Sequence, residues 1–279
     1  MAKIDRLNTL KNKLSENSFC KLDCYFDNYD INKITSLIYI YVIAGVSAID
    51  LKLDLDSVIK AKEIISKALH NSNEFGKSIA NSPFLIVSCY SSNIVNMDID
   101  EFSKILISCE SKGADFFELH NDLTDITLVK DKLLIVKEVF NFKPISISIS
   151  RDKLSNSSIV EQIKYLRANI QKDIIIEVDG SEEENNDQYN ATLQSISTAD
   201  IIQKQLLKKE IAFRKIPILL SGGTNALTVE LAEECNVHFN GITYSDYARN
   251  DFEEFLKSHS FDNDFEIKDY IKKVKNLIL

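Results

Sequence analysis

The chain has 279 residues, 44% hydrophobic and 27% charged, with only seven glycines and three prolines. That composition supports a real core and excludes a disordered, fibrous or low-complexity protein. Acidic side chains outnumber basic ones 42 to 33, giving a net charge of −9, so the mean field repels nucleic acid and anionic membranes.

Residues 1–18 form a polar, helix-like N-terminal extension. They lack the apolar centre of a signal peptide and the Ser/Arg-rich make-up of a transit peptide. The first strand is expected over Cys20–Tyr25 and a helix over Ile31–Ala44, after Asp30 as N-cap. The longest apolar stretch, Leu37 to Val46, is about half a membrane span, so none is expected. The second strand is Ala48–Leu53. The helix Ser57–Leu69 follows Asp56 and lines up Val58, Ala61, Ile65, Ala68 and Leu69 on one face.

Pro83 introduces the third strand, Phe84–Tyr90. The helix Ile99–Ser111 ends before Gly113, a C-cap residue. The fourth strand is Asp115–His120, followed by the helix Ile126–Phe140. Pro144 introduces the fifth strand, Ile145–Ser150, and Pro217 the seventh, Ile218–Ser221. A proline just before a strand removes no interior ladder bond and ends the preceding helix. The sixth strand, Ile174–Asp179, lies between helices Ile159–Ala168 and Leu193–Ile211. The acidic segment Ser181–Asn190 is an expected exposed loop. The helix Ala226–Cys235, the eighth strand Gly241–Tyr244 and helices Asp251–Lys257 and Ile267–Ile278 close the chain. The C-terminal helix occupies about 265–279.

Strand then helix, eight times over this length, predicts a single-domain (β/α)8 barrel, with a doubly wound sheet as the alternative. Five cysteines, Cys20, Cys24, Cys89, Cys109 and Cys235, form no disulfide framework. Cys20 and Cys24 read as small apolar residues on one strand face. The expected compartment is reducing, the cytoplasm or a plastid stroma.

Two constellations carry chemistry. Strand-end alternation puts Asp50 with Lys52, Glu118 with His120, and Glu177 with Asp179 on shared faces. Facing the barrel interior, these groups converge at one mouth. Glu118, His120, Asp179 and Asp50 are then candidates for acid–base catalysis, or members of a self-satisfied polar plug. The second is Ser221-Gly222-Gly223-Thr224-Asn225, between a strand and a helix. Backbone N–H groups at such a turn cradle an anion, so Gly222, Gly223, Thr224 and Asn225 are candidate phosphate-binding residues. Arg249 in the loop after the eighth strand would complete the site, against the charge of Asp246. A bare strand-to-helix turn is the alternative. His70, His238 and His259 show no metal-ligand spacing, and no metal site is expected.

The same loops carry a family resemblance. Ser221-Gly222-Gly223-Thr224-Asn225-Ala226-Leu227-Thr228-Val229 and Gly241-Ile242-Thr243-Tyr244-Ser245-Asp246-Tyr247-Ala248-Arg249 resemble two motifs of the cyanobacterial light-dependent-period proteins, iron–sulfur proteins of circadian input. Ala44–Asp50, Pro83–Ser88, Glu118-Leu119-His120 and Val178-Asp179-Gly180 are similar to further family segments, colinear from about residue 20 to 256. The family's cysteine-rich insert has no counterpart after Ser88, so no iron–sulfur cluster and no other cofactor is expected. The resemblance implies a cluster-free, noncatalytic binding or regulatory barrel with a protein partner in light or redox signalling. Two alternatives stand beside it. One is a barrel lyase or isomerase acting on a small phosphorylated metabolite. The other is an assembly or scaffold protein using the acidic loop.

Overall fold

The computed structural model describes the chain except residues 1, 25–30, 73–80, 124, 142, 151–155, 172, 181–187, 210–215, 260–263 and 279. Asp30 and the greater part of the acidic segment 181–190 therefore lie outside the described residues.

Runs of Ile, Val, Leu and Phe form eight parallel strands: β1 (Phe19–Asp23), β2 (Ala48–Lys52), β3 (Phe84–Tyr90), β4 (Phe116–Asn121), β5 (Ile145–Ser150), β6 (Ile174–Asp179), β7 (Ile218–Ser221) and β8 (Gly241–Tyr244). They pair in chain order, and β8 pairs with β1 to close the barrel. The fold is a (β/α)8 barrel. Followed round the barrel, the register returns to β1 displaced by eight residues, the stagger of this architecture.

Eleven α-helices are described: α1 (Ala2–Ser15), α2 (Ile31–Ala44), α3 (Leu55–Asn71), α4 (Ser91–Val95), α5 (Ile99–Ser111), α6 (Lys130–Val139), α7 (Asn156–Asn169), α8 (Gln188–Lys209), α9 (Thr228–Glu234), α10 (Asp246–Ser258) and α11 (Asp264–Ile278). None is long and apolar enough to cross a membrane among the described residues. The helix expected over 126–140 is split, with a 3-10 turn at Ile126–Val129 ahead of α6. Asp54, not Asp56, caps α3, accepting from the Ser57 N–H at 2.9 Å. Gly113 has φ +106 and donates its N–H to the Glu110 carbonyl, ending α5 as its sequence implies.

Alternation sorts the strand side chains. In β5, Ile145, Ile147 and Ile149 join the outer core between sheet and helices, whereas Ser146 and Ser148 alternate with them. Inside the barrel, the lower levels are apolar. Phe19, Ala48, Phe84, Ile86, Phe116, Ile175 and Leu219 pack with Leu10 and Leu14 of α1. The N-terminal segment is thus a plug across the barrel's N-terminal end. Burying its two leucines contributes about 1.5–3 kcal/mol each. Arg6 fastens the plug: its guanidinium grips Asp115 at 2.6 and 2.5 Å and lies 4.4 Å over the Phe84 ring.

Candidate active site

Above that plug the interior turns polar. Asp50, Glu118, Glu177 and Thr243 come from the even-numbered strands and share one level of the barrel. Lys21 enters from the level below: it pairs in register with Ala48 and Thr243, whereas Asp23 pairs with Asp50. Its Nζ lies 2.6 Å from Glu118 Oε1, 2.6 Å from Glu177 Oε2 and 3.4 Å from Asp50 Oδ2. Thr243 Oγ1 donates to Glu177 Oε2 at 2.6 Å. All five side chains are buried.

His120 stands one β-step above Glu118, nearer the C-terminal mouth. Its Nε2 lies 3.6 Å from both Asp50 Oδ2 and Glu118 Oε1, and its ring is 5.2 Å from that of Tyr90. Burial opposes its charge, but the hydrogen bond to Asp50 and the charges of Glu118, Asp50 and Asp23 outweigh burial. They raise its pKa to about 10. Lys21 follows the same logic: burial favours the neutral amine, yet Glu118, Glu177, Asp50 and Asp23 push the group well above its ordinary value. Burial and then Glu118 raise Glu177, against Lys21 and Thr243. Asp50 Oδ1, Glu118 Oε2 and Ser146 Oγ are buried without a hydrogen-bond partner among the described residues.

Of the predicted catalytic residues, Asp50, Glu118 and His120 meet in this cluster. Asp179 shares the face of Glu177 and lies higher, against the Gly222 turn. A Cβ added to Gly222 would come within 2.5 Å of Asp179 Oδ1 and closer still to the Gly180 nitrogen. Sequence reasoning missed Lys21 and Thr243, the cation and the hydroxyl at the centre. Once the strand bounds are known, alternation accounts for both: Lys21 sits between outward-facing Cys20 and Leu22, and Thr243 between Ile242 and Tyr244.

The predicted anion site is a glycine turn. Gly222 and Gly223 take φ of +68 and +69, which glycine adopts without strain. Its side chains bond within the protein. Thr224 Oγ1 donates to the Thr243 carbonyl. Asn225 Nδ2 donates to the Gly223 carbonyl at 3.1 Å, and Asn225 Oδ1 accepts from the Leu227 N–H at 2.8 Å. Arg249 is paired with Asp246 at 2.5 Å. The following helix, α9, begins only at Thr228, beyond the turn, so its dipole acts weakly there.

No protein-family model and no curated protein matches the chain. Solved structures share the fold at low identity. An aldolase designated QR15 aligns at 12% identity and TM-score 0.57, over 87% of this chain and 96% of its own. The tryptophan synthase alpha subunit of Legionella pneumophila aligns at 12% identity and TM-score 0.57, over 98% of both chains. The carboxyl transferase domain of Rhizobium etli pyruvate carboxylase, with 3-hydroxypyruvate, aligns at 12% identity and TM-score 0.61, over 99% of this chain and 50% of that one.

Proposed function

We propose that the protein is a lyase or isomerase acting on a small phosphorylated metabolite, by acid–base chemistry at the barrel mouth. The observation that carries this reading is the juxtaposition of the charged imidazole of His120 with two buried carboxylates, Asp50 and Glu118, each of which keeps one oxygen unpartnered among the described residues. A carboxylate takes a proton from the carbon beside a carbonyl. The electron pair moves onto the carbonyl oxygen, and His120 faces the developing negative charge. General acid–base catalysis of this kind contributes about 10²–10⁴-fold, and a placed oxyanion donor a similar factor.

Lys21 has another role. An imine-forming lysine needs a neutral amine, and Lys21 is held as an ammonium among carboxylates. It therefore orients Glu118 and Asp50. The phosphate would lie on the Gly222–Gly223 backbone at the end of β7, within reach of the first turn of α10, which carries Asp246 and Arg249 in place of the expected loop. The shared architecture with an aldolase and with a tryptophan synthase alpha subunit supports this reading at the level of fold only.

One observation favours a second reading, the noncatalytic barrel implied by the light-dependent-period resemblance. Thr224, Asn225 and Arg249 already have protein partners, and Asp246 brings a negative charge to the phosphate loop.

Thermal stabilisation by a panel of small phosphorylated aldehydes and ketones separates the two. A binder at a hundredfold excess over its dissociation constant adds about 2.7 kcal/mol. The enzyme reading expects such a shift with at least one compound, lost in Gly223→Asp. The noncatalytic reading expects no shift in the wild type and a gain in Asp246→Gly.

A further inference from the structure

Three donor groups, two carboxylates and an imidazole, meet at the top of the buried cluster. His120 Nε2 is 3.6 Å from Asp50 Oδ2 and 3.6 Å from Glu118 Oε1. One donor atom from each of the three residues lies within 4.8 Å of the other two. A cation bonded at about 2.1 Å to three tetrahedral donors holds them roughly 3.4 Å apart. Both His120–carboxylate separations are within a few tenths of an ångström of that spacing.

The acids carry a second, independent sign of a missing partner. Asp50 and Glu118 are fully buried, and each keeps one oxygen, Oδ1 and Oε2, without a hydrogen bond among the described residues. A carboxylate oxygen in such a place is costly unless something positive meets it. Lys21 donates from the level below to Glu118 Oε1 and Asp50 Oδ2, the same oxygens that lie 3.6 Å from His120 Nε2, and leaves Oδ1 and Oε2 to an added cation. That is how an outer group orients metal-binding carboxylates.

We propose that Asp50, Glu118 and His120 form a binding site for a single divalent transition-metal ion. One imidazole with two carboxylates suits Zn²⁺, Mn²⁺ or Co²⁺ better than Ca²⁺, which prefers six to eight oxygens. No thiolate joins the set, since Cys20, Cys24 and Cys89 face the outer core. The proposal rests on the proposed function only for the ion's role, in which it polarises the carbonyl that His120 otherwise faces. The site itself rests on the geometry.

The test uses the full-length protein, stripped with a chelator and titrated with Co²⁺ alone. The expected result is one equivalent bound, with visible d–d absorption of a low-coordinate site. His120→Gln and Asp50→Asn should each weaken binding at least tenfold, with native circular dichroism as the folding check. Lys21→Arg should retain the absorption, because it keeps the orienting charge. Mn²⁺ titration followed by electron paramagnetic resonance gives a second readout that needs no variant. Absence of Co²⁺ bands and of bound Mn²⁺ at millimolar metal would overturn the proposal. So would unchanged affinity in both ligand variants. Metal binding without turnover of any phosphorylated carbonyl compound would leave the site standing and remove the lyase reading. Turnover by protein that binds no metal would do the reverse.

Discussion

Replacing Lys21 with methionine is the most severe single change the account identifies. The methionine fills similar volume but removes the only ammonium contacting Asp50, Glu118 and Glu177 among the described residues. Two of those contacts are 2.6 Å long, and every participant is buried. Leaving buried carboxylates without their cation costs about 3–5 kcal/mol. At roughly 2 °C per kcal/mol for a chain of this size, Tm should fall by about 6–10 °C at pH 7. The loss should shrink on acidification. Burial and Glu118 already raise the Glu177 carboxyl against Lys21, so without Lys21 it rises further above its unfolded value. The folded state then binds more protons, and its stability increases as pH falls through that raised pKa. Urea denaturation of wild type and Lys21→Met at pH 7 and pH 5.5 measures both effects. Adding Glu118→Gln to Lys21→Met should recover part of the loss. A single variant within about 1 kcal/mol of wild type at pH 7 would refute the account of the barrel centre.

Three further outcomes follow from the same coordinates. In metal-free protein the His120 pKa is about 10, above its unfolded value near 6.5, so its stabilisation is complete below about pH 6.5 and disappears as pH rises through about 10. The difference in urea midpoint between wild type and His120→Gln should therefore narrow from pH 7 to pH 10, and a constant difference would contradict the placement of His120. Gly222→Ala should cost more than Gly45→Ala. Both have positive φ, but only at Gly222 does the new Cβ strike Gly180 and Asp179, and Gly45 has open space. The expected loss is at least about 2 kcal/mol against about 1–2 at Gly45, measured by chemical denaturation. Native alkylation at pH 8 should label Cys235 alone. The Cys20 thiol is pushed to about 12 and Cys109 to about 11, both mainly by burial, and burial likewise raises Cys24 and Cys89. Rapid labelling of two or more thiols would show the outer core to be open.

The sequence made the architecture readable because its punctuation was strong. Pro83, Pro144 and Pro217 each stand immediately before a strand, and the Ile–Ser alternation of β5 announces a barrel with a polar interior. The same alternation led to Asp50, Glu118 and His120. It led no further for two reasons. β1 is short and opens with the apolar Phe19-Cys20, so a single lysine within it gives little sign of an interior position. Thr243 lies in a four-residue strand, too brief to display a period. The ligand-like grouping of Asp50, Glu118 and His120 was also invisible as a motif. Its members come from two strands 68 positions apart and meet only because the register stagger brings β2 and β4 to one level. The Gly222–Gly223 turn was legible only in part. Gly222 and Gly223 have the conformation their sequence implies, but tertiary hydrogen bonds engage Thr224 and Asn225, which local sequence cannot show.

The central claim is that the Asp50–Glu118–His120 cluster moves a proton on a small phosphorylated carbonyl compound. Deuterium exchange into the carbon beside the carbonyl, followed by proton NMR in D2O, observes that step without requiring the complete reaction. Wild-type protein should accelerate exchange in at least one member of a panel of phosphorylated aldehydes and ketones. Glu118→Gln or Asp50→Asn should reduce it by about 10²-fold or more. Exchange at the uncatalysed rate throughout the panel, by protein shown to be folded, would contradict the claim.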